Sequence, residues 1–127
     1  MHSTGIIILS TFPSEELAAE VASHVVSAKL CACVNFTKIR SIYSWRGKIE
    51  DQHEFLVLFK ATSKSAKKLK AEIVRLHPYE VPEIVELKMS NVSKPYLSWL
   101  AAESMHRVAK KGHNAAKRRD TQTNIRR

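Results

Sequence analysis

Cys31 to Thr62, CACVNFTKIRSIYSWRGKIEDQHEFLVLFKAT, reads as two long strands joined by a tight turn, and the rest of the chain has to fit around it. Trp45-Arg46-Gly47-Lys48 is the turn signal, with a glycine able to take the positive φ that a tight hairpin demands. On the returning limb Ile49, Phe55, Val57, Phe59 and Ala61 alternate onto one face. The outgoing limb is rich in β-formers, Val34, Phe36, Thr37, Ile39, Ile42, Tyr43 and Trp45, but its alternation slips near Ser41 and Ile42, where a bulge is expected. Fully extended, Cys31 to Trp45 would reach roughly 50 Å at ~3.3 Å per residue. The helix expected before it, from Ser14 to Lys29, covers only ~24 Å at ~1.5 Å per residue. One helical layer therefore cannot shelter the whole hairpin, which leaves Tyr43, Trp45 and Ile49 bare in a single chain. Large apolar side chains on an uncovered edge call for a partner, so the outer hairpin is read as an assembly arm.

The flanking segments supply a recognisable order. Ile6, Ile7, Ile8 and Leu9 form a short apolar run that suits a central strand. Ser14 is placed to cap a helix, with Glu15 and Glu16 at its positive end and Leu17, Ala18, Val21, Ala22, Val25 and Val26 as its apolar stripe. After the hairpin, Ser65 to Leu76 reads as a second helix with Ala66, Leu69, Ile73 and Leu76 inward, ended by His77-Pro78. Val81 to Met89 alternates as a further strand. The sum is β-α-β-β-α-β, a ferredoxin-like α+β fold with an antiparallel sheet and two helices on one face. An additional C-terminal helix is expected from Pro95, with Tyr96, Leu97, Leu100, Ala101, Met105 and Val108 as its stripe and Gly112 as its stop. Residues 1–112 then make one domain. Residues 113–127, with Ile125 as the one large apolar side chain, read as a disordered basic tail.

Composition narrows the function classes. The chain has 127 residues, 44% of them hydrophobic, which is enough for a real core, and no apolar run approaches the ~20 residues of a membrane helix. The opening Met-His-Ser-Thr-Gly lacks the basic leader of a signal peptide, and two cysteines make no disulfide framework, so a reducing cytosol is expected. Cys31 and Cys33 are expected on one face of the same strand. Of the formal +9 charge, residues 106–127 hold +7, from eight basic side chains and Asp120. The remainder is nearly balanced.

The most distinctive short segment is His77-Pro78-Tyr79-Glu80-Val81-Pro82-Glu83. Two prolines make it a rigid link between helix and strand, with its polar side chains solvated or capping neighbours. A ligand or metal site is the competing reading, with His77, Glu80 and Glu83 as donors, although no His-x-His or Cys-x-x-Cys spacing supports it. Cys33 fits a small buried hydrophobe better than a nucleophile, since no base is marked nearby. Glu50, Asp51 and Glu54 resemble paired carboxylates for acid–base work but sit just past a turn, which favours a solvated hairpin end. Lys60 closes an apolar run, as a lysine snorkelling at a sheet edge would. There is no glycine-rich phosphate loop, and the strand from Glu54 to Phe59 lacks the basic-Gly-aromatic signature of RNA-binding sheets. Specific nucleic-acid binding is therefore not expected; the tail could contact polyanions non-specifically.

Several spaced motifs together resemble the CutA divalent-cation tolerance family. They are Leu30-x-Ala32-Cys33-Val34-Asn35, Ser41-Ile42-Tyr43-x-Trp45-x-Gly47-Lys48-Ile49-Glu50, Lys60-x-Thr62, His77 to Glu83 entire, and Tyr96-Leu97-x-Trp99-Leu100. The resemblance runs from about Ile6 to Glu103. It implies a small ferredoxin-like subunit forming a tight homotrimer similar to PII signalling proteins, a role in tolerance of divalent metals such as copper, and no enzymatic activity or required cofactor. In some bacterial members copper binding is associated with a cysteine ending the first strand and a histidine pair before Pro-Tyr. Ser10 and Leu76-His77 stand at those positions, so His77 is the metal-ligand candidate and weak copper binding is implied. Cys31 stands where alanine is usual, and Asn91 to Pro95 replaces a glycine-bearing loop. Two alternatives remain open. One is a PII-like sensor holding a small ligand or anion between subunits, with Cys33, Glu50, Lys60, Tyr79 and Glu80 as candidate cleft residues; the other is a trimeric scaffold.

Overall fold

Local signals build most of the elements. A computed structural model describes residues 4–104. Strand β1 runs Gly5–Phe12. Ser14 then caps helix α1, Glu15–Ser27, its hydroxyl oxygen accepting from the Leu17 N–H at 3.2 Å while Glu15 and Glu16 occupy the first turn. Lys29, at φ 61°, takes the left-handed conformation that ends the helix. Strands β2, Cys33–Trp45, and β3, Lys48–Thr62, form the long hairpin. Arg46 at φ 51° and Gly47 at φ 80° make a two-residue turn whose twist matches the strands. A short 3₁₀ turn, Ser63–Ser65, leads into helix α2, Ala66–Leu76. Strand β4 is Val85–Lys88 and helix α3 is Lys94–Glu103. The sheet order is β2-β3-β1-β4 and every pairing is antiparallel, the expected ferredoxin-like arrangement.

The core lies between the sheet and helices α1 and α2. Ile6, Ile8 and Phe12 of β1 and Val57, Phe59 and Ala61 of β3 meet Ala18, Val21 and Val25 of α1 and Leu69 and Ile73 of α2. Alternation turns Ile7, Leu9, Leu56, Leu58, Val85 and Leu87 to the opposite face. There α3 provides partial cover: Leu100 is buried, and a Cβ added to Gly5 would come within 2.6 Å of Met89 Sδ and 3.5 Å of Leu100 Cδ1. Val85 and Leu87 stay exposed.

Three expectations need correction. The bulge at Ser41 and Ile42 is absent: the register runs unbroken from Cys33 opposite Lys60 to Trp45 opposite Lys48. The alternation slips in sequence because Ile42 lies beyond the helices and is 65% exposed, although it continues the face of Phe36 and Val57. The strand expected over 81–89 shrinks to Val85–Lys88. Continued pairing would put Glu83 opposite Thr11, but the Thr11 carbonyl accepts from His77 Nε2 at 2.8 Å, and Pro82 offers no N–H. Cys31 precedes β2 and so does not share a strand face with Cys33. The third helix is described only to Glu103, and its expected continuation to Gly112, like the tail, lies outside the described residues.

Candidate functional site

The segment after α2 is laid against the root of the hairpin by one chain of hydrogen bonds. His77 is buried, its ring 4.2 Å from that of Phe12 between centroids. Nε2 donates to the Thr11 carbonyl at 2.8 Å, since a carbonyl can only accept, and Nδ1 accepts from the Tyr79 N–H at 3.1 Å. The Tyr79 hydroxyl in turn donates to Glu54 Oε2 at 2.6 Å, and the two aromatic rings of His77 and Tyr79 lie 4.8 Å apart. One residue on, Glu80 accepts from Arg46 of the hairpin turn at 2.8 Å, and that guanidinium lies over the Trp45 ring. The segment 77–80 therefore ties the end of β1, the hairpin root and the hairpin tip together.

This geometry does not suit His77 as a metal ligand. Both ring nitrogens are committed inside the subunit, and a metal ion would have to break one of those bonds to gain a lone pair. Among the described residues no three His, Cys, Asp or Glu side chains converge as metal ligands, so Glu80 and Glu83 do not join His77. Ser10, at the position of the family's cysteine, is buried on the helix-covered face beside Ile8 and Phe12.

Cys33 and Lys60 sit opposite each other on β2 and β3, six residues along β3 from Glu54. That is ~20 Å from the Tyr79 contact. The candidate cleft residues therefore fall into separate groups within one subunit: Cys33 with Lys60, Tyr79 with Glu54, and Glu80 with Arg46, while Glu50 faces Tyr43 across the arm. Cys33 is half-buried rather than enclosed, its thiol 3.7 Å from Asn35 Oδ1. Cys31 is the enclosed thiol. It donates to the carbonyls of Cys33 and Lys60 at 3.3 Å, and burial pushes its pKa to about 12. Burial, with smaller contributions from Cys33 and Cys31, likewise raises the Tyr96 hydroxyl of α3 above its ordinary pKa. Lys60 is not at an edge, since β3 lies between β2 and β1.

Glu54 is the residue that the sequence misplaced. Expected in a solvated hairpin end, it is 1% exposed. A single acid in phase with Leu56, Leu58 and Lys60 was the available signal, and its Tyr79 donor lies 25 residues away. The other acids of that stretch behave as expected of surface groups. Arg40 holds Asp51 through two bonds of 2.8 Å, and this hydrogen-bonded ion pair keeps the Asp51 carboxyl below its ordinary pKa.

The profile of the "CutA1 divalent ion tolerance protein" family matches residues 6–103. The chain belongs to the CutA1 family. The divalent-cation tolerance protein CutA of Thermotoga maritima is 43% identical over 95 residues, 75% of this chain and 94% of its own length. That of Thermus thermophilus is also 43% identical, over 74% of this chain and 92% of its own length. Among solved structures, CutA1 from Pyrococcus horikoshii superposes with a TM-score of 0.75 at 36% identity, covering 78% of this chain and 97% of its own. The PII-like protein CutA from Nostoc in apo form gives 0.76 at 31% identity, with 80% and 99% covered. The ferredoxin-like α+β fold is thus that of CutA and PII-like proteins.

Proposed function

We propose that this CutA-family chain acts in divalent-cation tolerance as a non-enzymatic homotrimer of the cytosol, with ligand recognition formed between subunits. The observation that carries this reading is the bare arm. Residues 48–54 of β3 pair with β2 alone, and Ile42 and Ile49, 65% and 74% exposed, continue the core face past the end of α1. A two-stranded ribbon is marginal by itself in water. The subunit offers two complementary surfaces for it: the unpaired edge of β4, exposed at all four residues, and the sheet face carrying Val85 and Leu87. Neighbouring subunits related by rotation would cover both.

The dispersal of Cys33, Glu50, Lys60, Tyr79 and Glu80 within one subunit supports an assembly in which a cleft is completed by a neighbour. The buried, fully engaged His77 supports a structural role for it and only weak copper binding. No helix among the described residues is long and apolar enough to cross a membrane. Light scattering on the purified chain tests the assembly, with about 43 kDa expected for three chains of 14.4 kDa. A monomer at micromolar concentration would refute it. A thermal-shift series with metals, nucleotides and small anions then separates a sensor from a scaffold, since a specific ligand raises apparent stability.

A further inference from the structure

One side of the arm is held by its own subunit and the other is left bare. Alternation places Tyr43 and Trp45 of β2 and Glu50 and Glu54 of β3 on the face opposite to Ile42 and Ile49. Tyr43 and Trp45 are half-buried there, whereas Ile42 and Ile49 are 65% and 74% exposed. On the held face two adjacent residues of the segment after α2 reach in opposite directions. The Tyr79 hydroxyl donates to Glu54 Oε2 at 2.6 Å at the root, and Glu80 Oε1 accepts from Arg46 Nη2 at 2.8 Å at the tip. Between those points β3 runs from Glu54 to Lys48, ~20 Å of strand. The segment itself is fixed: His77 is buried with Nε2 on the Thr11 carbonyl, and Pro78 and Pro82 lock their own φ angles. At φ 51° Arg46 holds a turn position that asparagine or glycine fills at lower cost, so what the position gains is the side chain. Its guanidinium lies 4.9 Å from the Trp45 ring centroid while it meets Glu80.

We infer that Tyr79 and Glu80 form a brace that sets the direction of the arm before assembly and so governs how fast subunits associate. This rests on the assembly proposed above, with a second copy of the chain as the partner. A two-stranded ribbon free to swing loses that freedom on docking, and association that waits for a conformational change is slow. A ribbon pinned at root and tip by its own subunit has little left to lose. The pins and the bare isoleucines lie on opposite faces, so the brace orients the arm without covering the surface that docks. Its effect is therefore acceleration and not restraint. The Arg46–Glu80 pair is largely exposed, which keeps that effect modest.

The test follows the full chain refolding from guanidinium chloride by stopped-flow light scattering at several concentrations, so that the concentration-dependent phase reports association. Arg46→Gln and Glu80→Gln should each slow that phase by about two- to fivefold at low salt, the range of an exposed ion pair, with unchanged circular dichroism of the final state. The two variants change net charge in opposite directions, so a common slowing belongs to the pair. The charge swap Arg46→Glu/Glu80→Arg should recover most of the wild-type rate, and ~1 M salt should bring single variants and wild type together. Single variants that associate as fast as wild type or faster, or a charge swap as slow as the singles, would overturn the brace and leave the assembly intact. A wild type with no concentration-dependent phase would refute the assembly and the brace with it.

Discussion

The two halves of the hairpin share one unbroken register and differ in almost everything else. In the root, Phe55 to Lys60 are paired on both sides, with β1 and with β2, Ala61 and Thr62 pair with β1, and Val57, Phe59 and Ala61 are wholly buried under the helices. In the arm, Lys48 to Glu54 have one neighbouring strand, and Ile42 and Ile49 on the same face meet solvent. The root is held by burial of large side chains. Within one subunit the arm is held by cross-strand polar pairs, Arg40 with Asp51 and Tyr43 with Gln52, and by the Arg46–Glu80 tie. Exposed ion pairs contribute little. Backbone pairing alone therefore makes an arm continuous without making it stable, and its stability has to come from another surface.

The contrast is sharpened most by truncating the root. Phe59→Ala should cost about 3–5 kcal/mol in chemical denaturation, the usual range for a buried phenylalanine. The same truncation at the arm, Ile49→Ala, should be nearly silent in an isolated subunit and costly in the assembled protein, so its effect should grow with protein concentration. A loss independent of concentration would remove the distinction between the halves.

At the junction, Tyr79→Phe removes the donor to Glu54 and should destabilise by about 1–3 kcal/mol, the range for depriving a buried polar group of a partner. A neutral result would mean that the tie does not hold the arm's root. Cys31 supplies a pH handle. Its thiol, ordinarily near 9.0, is pushed to about 12 in the folded chain, so above the lower value the unfolded state has lost a proton that the folded state keeps. Stability contributed by this group is fully present below pH 9 and falls as pH rises through the window, by about 1 kcal/mol from roughly pH 9 to 10. Comparing wild type with Cys31→Ala by urea titration isolates that slope, and parallel slopes would contradict it. The smallest effect belongs to Asp51→Asn, for which no resolvable change in Tm is expected at physiological salt.

How much was readable beforehand follows from how local each signal is. Ser14, Glu15 and Glu16 announce α1 because a cap acts within one turn, and Arg46-Gly47 announces the turn because its two positive φ values belong to those residues. The length mismatch between hairpin and helix was likewise legible, since it needs only residue counts. Distant partners were not. The Thr11 carbonyl carries no mark in sequence, yet its bond to His77 both shortens β4 and occupies the imidazole that looked like a metal ligand. Glu54 looked solvated because nothing beside it shows that Tyr79 will close over it. Cys31 leaves the strand because the chain turns at Lys29, and Ala32 N–H then takes the Lys60 carbonyl.

Amide hydrogen exchange along the hairpin, followed by mass spectrometry at several protein concentrations, bears on the completed arm most directly. The arm, Arg40 to Gln52, should be protected nearly as well as Phe55 to Thr62 when the protein is assembled, and should lose that protection on dilution while the root keeps it. An arm that exchanges rapidly in a sample shown to be trimeric, or one that stays protected in a monomer, would contradict the account.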